Sequence, residues 1–224
     1  MREFWVPVAT IAWKDVLLEL RTKEIVTSVL VFALVAVVVF YFALRPTPQT
    51  IGFVAPGVLW VAFTFAGSLV MIRTFVLEKE QGSLEGLMLC PVSRDVLYFG
   101  KLIGGFLFML VVEAVILPVF SVLFDAPLLD PALFGVLVLA TLGFASVGTL
   151  FSAISVNTRS REIMLPILFF PLVVPVLIAA VAATAAVLDG DSQGRLGQWL
   201  ALSGAYAAIF VTLSALLFGY TLEE

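Results

Sequence analysis

The chain has 224 residues, 62% of them apolar and only 12% charged. Ordinary soluble domains are about half apolar and about a quarter charged, so a mean hydropathy of +1.16 places this sequence in the membrane class. A net charge of −4 with few basic residues gives no support to nucleic-acid binding, and the lack of any histidine removes the commonest metal ligand and general base.

The first residues do not read as a span. In VATIAWKDVLLELRTK, Ala9, Trp13, Val16, Leu17 and Leu20 recur at helical spacing, while Lys14, Asp15, Glu19 and Arg21 lie largely elsewhere around the axis. That pattern predicts an amphipathic helix over 1–24 lying in the headgroup plane. The competing reading is a cytoplasmic extension of the first span. Charges run through the first 20 residues with no continuous apolar core, so no cleavable signal is visible.

A helix crossing the hydrocarbon core needs about 20 apolar residues. Six segments qualify, at 25–44, 51–74, 97–124, 132–156, 162–188 and 199–220. The breaks between them carry charge, Pro, Gly or Asn and are too short for a soluble domain, so residues 1–224 read as one transmembrane domain. Lysine and arginine set the orientation. Arg2, Lys14, Arg21, Lys23, Arg73, Lys79, Arg94, Lys101, Arg159 and Arg161 fall on one side, against Arg45 and Arg195 on the other. Both termini are expected in the cytoplasm.

Between the second and third spans lies EKEQGSLEGLMLCPVS, residues 78–93. Gly82–Ser83 can end one helix and cap the next. Leu84, Leu87 and Met88 then share one face of a short helix, which Pro91 stops. Such a helix, flanked by Glu78, Glu80 and Glu85, can fit a groove on another protein. The plainer reading is a solvated connecting loop. Cys90, the single cysteine, cannot form an intramolecular disulfide and is assigned no role.

Glu113 is an ionisable residue deep within a span, where a charge is costly and commonly functional. A hydroxyl, or a backbone carbonyl freed by Pro118, could pair with it as a purely structural interhelical bond. Pro166, Pro171 and Pro175 interrupt the fifth span and read either as kinks lining a cavity or as irregular packing. Thr141, Ala145, Thr149 and Ala153, with Gly148 and Ser152, and the Gly100/Gly104 pair read as close helix packing. Trp5, Trp13, Trp60 and Trp199 read as interface anchors. A P-loop is missing: DVLYFGKL has Asp95 and Leu102 where glycine and a hydroxyl are needed. No catalytic, cofactor or metal site is expected, so energised work would need a partner.

The 78–93 stretch resembles the coupling segment of ABC-2-type permeases, the match being Glu78, Glu80, Gly82, Ser83, Leu84, Glu85, Leu87, Met88 and Pro91. Together with APGVLWVAF at 55–63, VVEAVILPVF at 111–120 and LPILFFPLVVPVLIAA at 165–180, nearly the whole chain is similar to the CcmB family of cytochrome c maturation. The resemblance implies an all-α, ABC-2-type permease-like membrane protein: one permease domain of six transmembrane helices, an N-terminal amphipathic interfacial helix and a short cytoplasmic coupling helix. It implies a non-catalytic subunit in a bacterial inner membrane, without cofactor, paired with a CcmA-like cytoplasmic ATPase. CcmC-, CcmD- and CcmE-like proteins, membrane lipid and a second copy of the chain are the other partners. The implied output is heme export or release of a heme-loaded chaperone. Lack of histidine and of a tryptophan-rich haem-handling motif favours mechanical coupling over a haem conduit. The alternatives are an ABC-2-type exporter of another lipid or drug, and a proton-coupled secondary transporter using Glu113.

Overall fold

Backbone N–H and C=O groups in hydrocarbon have no water to bond, so a single apolar segment satisfies them by becoming a helix. In the computed structural model this holds throughout: α1 (Arg2–Thr22), α2 (Glu24–Leu44), α3 (Ile51–Glu80), α4 (Arg94–Phe124), α5 (Pro131–Val156), α6 (Arg161–Leu188) and α7 (Leu196–Thr221). The structure describes residues 2–22, 24–80, 86, 92–128, 130–156, 161–191 and 193–221, with no strand among them. Six of these helices, α2 to α7, are long and apolar enough to cross a membrane.

The helix boundaries fall within three residues of the spans expected from hydropathy, except at the end of α3: its apolar part stops at Met71, close to the expected 74, while the helix itself continues to Glu80. Its 30 residues measure about 45 Å at 1.5 Å per residue, against a hydrocarbon core of about 30 Å. Charged residues after Met71 therefore extend the helix past the apolar layer. Glu78 and Glu80 lie on its last turn, not in a loop.

α5 is the central element, packed against α3, α4, α6 and α7, while α2 lies outside α3 and α4. Centrality follows from small side chains: Thr141, Ala145, Thr149, Ser152 and Ala153 are all buried, and they let neighbouring backbones come close. The Ser152 hydroxyl donates across to the Met71 carbonyl of α3 at 2.6 Å. α6 runs unbroken past Pro171 and Pro175. The Tyr206 hydroxyl of α7 donates to the Leu172 carbonyl at 2.7 Å, beside the gap in the hydrogen-bond ladder that Pro175 leaves.

Trp60 corrects a second expectation. It is not an interface anchor but a core residue, 4% exposed, and its Nε1–H donates to Thr184 Oγ1 of α6 at 2.9 Å. Nine residues into α3, it lies about 13 Å along the helix from Ile51, too deep for a headgroup contact. Trp5 and Trp13, by contrast, are more than half exposed.

α1 is amphipathic in a more specific sense than its sequence implied. Val8 and Ala12 are buried, with Phe4, Ile11 and Asp15 beside them, whereas Trp5, Ala9, Trp13 and Leu17 point away from the protein. One stripe therefore grips the bundle, while Ala9, Trp13 and Leu17 of the apolar face predicted from spacing face outward. α1 meets the first turns of α4, while α2 meets α3 through Phe32–Phe65 and the far end of α4 through Tyr41–Phe124.

Candidate coupling site

Of the expected coupling residues, Gly82, Ser83, Leu84, Glu85, Leu87, Met88 and Pro91 lie outside the described residues, as does Cys90; Glu78 and Glu80 are described for their helical backbone alone. Gly86, within the stretch, is helical and exposed. What the structure defines in full is the ground on which the segment lands.

That ground is the start of α4. Ser93 is extended (φ −65°, ψ 153°) and serves as N-cap without a side-chain hydrogen bond; its carbonyl accepts from the amides of Val96 and Leu97. One residue on, the Arg94 guanidinium donates to the Gly219 carbonyl in the last turn of α7. Carbonyls in a last turn have no helical partner, and a cation there also meets the negative end of the helix dipole. Four residues further, Tyr98 is fully buried: its hydroxyl reaches the Ser146 carbonyl of α5 at 3.4 Å and its ring lies 5.4 Å from that of Phe218 of α7.

The opposite side of the same turns holds α1. A methyl group on Gly100 would lie 2.8 Å from Ile11 Cβ, and one on Gly104 would lie 3.4 Å from Asp15 Cβ and 3.6 Å from Ala12 Cα. The expected close packing at this glycine pair is therefore a contact with α1. Between the two glycines, Lys101 is 3% exposed and its Nζ lies 2.9 Å from Asp15 Oδ2. A buried lysine needs such a partner. Phe4 packs edge-on against Phe99, 6.0 Å between ring centres.

Three elements thus converge on residues 94–104: α7 through Arg94, α5 through Tyr98, and α1 through Gly100, Lys101 and Gly104. Sequence reasoning counted Arg94 and Lys101 only as orientation charges and passed over Tyr98. The one available signal was a lysine inside an otherwise apolar helix start, next to two small residues.

Outward along α4, large and small residues interlock with α3 and α5. The Met71 side chain fills the space opposite both Gly105 and Gly148, with added methyls lying 2.8 and 2.6 Å from it; Met109 and Phe144 do the same opposite Gly67, at 2.5 and 2.7 Å. Glu113 follows one turn further, its Oε1 accepting from Thr141 of α5 at 2.6 Å. Of the partners considered for it, the hydroxyl is the one present. No cluster of three His, Cys, Asp or Glu that could hold a metal ion occurs among the described residues.

Six apolar helices, each long enough to cross a membrane and interlocked through small residues, define a multi-pass membrane protein. The chain belongs to the CcmB family, whose profile, "CcmB protein", matches residues 7–224. It is similar to heme exporter protein B of Pseudomonas aeruginosa, with 31% identity over 189 residues, 84% of each chain. It is also similar to heme exporter protein B of Escherichia coli K12, 29% identical over 210 residues, 90% of this chain and 93% of that one. The protein of the same name in Paracoccus denitrificans is 32% identical over 152 residues, 66% and 69% of the two chains.

Proposed function

We propose that this chain is the non-catalytic membrane subunit of an ABC-type complex in cytochrome c maturation, acting in heme export or in release of a heme-loaded chaperone. A separate CcmA-like cytoplasmic ATPase supplies the energy, and CcmC-, CcmD- and CcmE-like proteins, lipid and a second copy of the chain complete its surroundings. The subunit sits in a bacterial inner membrane with both termini in the cytoplasm, as one permease domain over 1–224. The ATPase-binding coupling segment comprises Glu78 and Glu80 at the end of α3, and Gly82, Ser83, Leu84, Glu85, Leu87, Met88 and Pro91 beyond it.

One observation carries this reading: the family match spans the 78–93 segment, and that segment runs into a braced helix start. α3 has about nine residues, roughly 13 Å, beyond its apolar span, which holds the segment clear of the hydrocarbon. Arg94, Tyr98 and Lys101 then tie the first turns of α4 to α7, α5 and α1. A connecting loop with no mechanical task needs no such bracing. Glu113, hydrogen-bonded to Thr141 with no basic group beside it in the lining of its cavity, offers little machinery for proton-coupled transport.

The test is a pull-down of the tagged chain from membranes, comparing wild type with Gly82→Pro and Glu85→Arg and assaying ATP hydrolysis in the eluate. Wild type should bring down an ATPase, and both variants should lose it while still inserting. An eluate without ATPase under mild detergent, or variants that retain it fully, would refute the reading.

A further inference from the structure

Glu113 is 2% exposed, and only half of its carboxyl group is used. Oε1 accepts from Thr141, while Oε2 has no hydrogen-bond partner among the described residues. A small cavity lies against the side chain between α3 and α4, walled by Phe63, Ala66, Gly67, Val70, Met109 and Val112. Its free volume of about 10 Å³ is roughly what one water requires, yet a buried water is normally held by two to four polar partners. Every lining side chain other than that of Glu113 is apolar. Whether Oε2 donates or accepts, the closed packing leaves it short of a partner, and a buried polar group in that state is costly.

The adjoining layers restrict how that cost can be relieved. Met71 faces Gly105, and Gly67 faces Met109. Sliding α3 past α4 by one turn would set Met71 on Met109 in one direction and leave Gly67 facing Gly105 in the other. Overlap or void follows either way, and packed interiors tolerate neither well. The free movement is a parting of the two helices at the level of Glu113, pivoting on the interlocked layers.

We propose that Glu113 is a hydration site built into the α3–α4 seam: its carboxyl oxygen takes up water when the helices part, and the missing partner in the closed state biases the seam towards parting. The ligand is water. The proposal rests on the coupling reading only for what drives the parting in the complex; the bias belongs to the chain alone.

The experiment uses the full chain in lipid nanodiscs. Ala66→Cys is placed on the cavity wall in a Cys90→Ser background, and its reaction with a small water-soluble methanethiosulfonate is followed by mass spectrometry. Only a thiolate reacts, so the rate reads water access. Labelling should be about tenfold faster with Glu113 than with Glu113→Leu, which removes the unpartnered oxygen and fills the cavity. Glu113→Leu should also raise the Tm, because Thr141 can turn its hydroxyl to the carbonyl one helical turn back. Glu113→Leu/Thr141→Val, which leaves neither group behind, should do the same. Equal labelling rates, or a Tm lowered in both variants, would overturn the proposal. Adding the copurified ATPase with ATP separates the two readings. A rate that ATP leaves unchanged counts against coupling, while the difference between Glu and Leu in the isolated chain decides the hydration site.

Discussion

Removing the Lys101 charge while Asp15 keeps its own should loosen α1 from the bundle. The pair is 2.9 Å apart, with side chains 3% and 19% exposed. At an effective dielectric of about 20, two unit charges at that distance attract by about 6 kcal/mol, most of it offset by the cost of taking both ions out of water. The net worth of the pair is therefore small, but the worth of one partner to the other is not. Lys101→Met leaves the Asp15 carboxylate with only the more exposed Lys14, 3.3 Å away, as its partner, and about 2 kcal/mol of stability should be lost. Asp15→Leu combined with Lys101→Met removes both charges into an apolar contact and should recover all but about 1 kcal/mol. Trp5 and Trp13 lie on the outward face of α1, so tryptophan emission in a Trp60→Phe/Trp199→Phe background follows α1 directly during denaturant titration. If the single and double variants lose equal stability, or the two single effects add within about 0.5 kcal/mol, the pair is not what holds α1 to α4.

Three further outcomes follow from single contacts. Gly148→Ala puts a methyl 2.6 Å from Met71 Cγ and 2.9 Å from its Sδ; overpacking should cost about 1–3 kcal/mol, and adding Met71→Ala should return part of it in a thermal-unfolding comparison. Trp60→Phe removes the donor to Thr184 Oγ1 and should cost about 1 kcal/mol, with Thr184→Val costing a similar amount in the same titration. Asp191 accepts from the amides of Arg195 and Leu196 at 2.7 and 3.0 Å at the start of α7; Asp191→Ala should cost about 1 kcal/mol and Asp191→Asn less, read from the unfolding midpoint.

Hydropathy made the spans legible because lipid imposes a single requirement, an apolar surface about 20 residues long, on every segment that crosses it. The end of α3 escaped that test: Glu78 and Glu80 fail it for a span while suiting a helix that continues past the apolar layer. Trp60 escaped for a related reason, since an indole suits an interface and a core equally well and only Thr184 of α6 decides between them. Spacing correctly marked Gly100 and Gly104 as a packing face. It could not say that α1 was the partner, because that contact joins residues about 90 apart in sequence. The same distance hid the Asp15–Lys101 pair. Glu113 stood out at once as a costly residue, whereas its unpartnered oxygen and the adjacent cavity depend on the side chains of three helices meeting in one register.

The distribution of polar contacts along α4 suggests how movement would divide within the bundle. Its first turns are tied to α7, α5 and α1 by a guanidinium, a buried phenol and an ion pair. A displacement entering at residue 94 must therefore carry those helices with it or break charged contacts, which are the expensive ones to break. α3 is different: its contact with α4 at Gly67 and Met71 is steric, resisting sliding but not separation. Beyond that contact the seam holds a carboxyl oxygen that gains a partner on opening. Resistance is thus greatest where the 78–93 segment joins α4 and falls towards Glu113. A push at the segment would be delivered as a pivot of α3 against α4, and not as a shift of α4 alone.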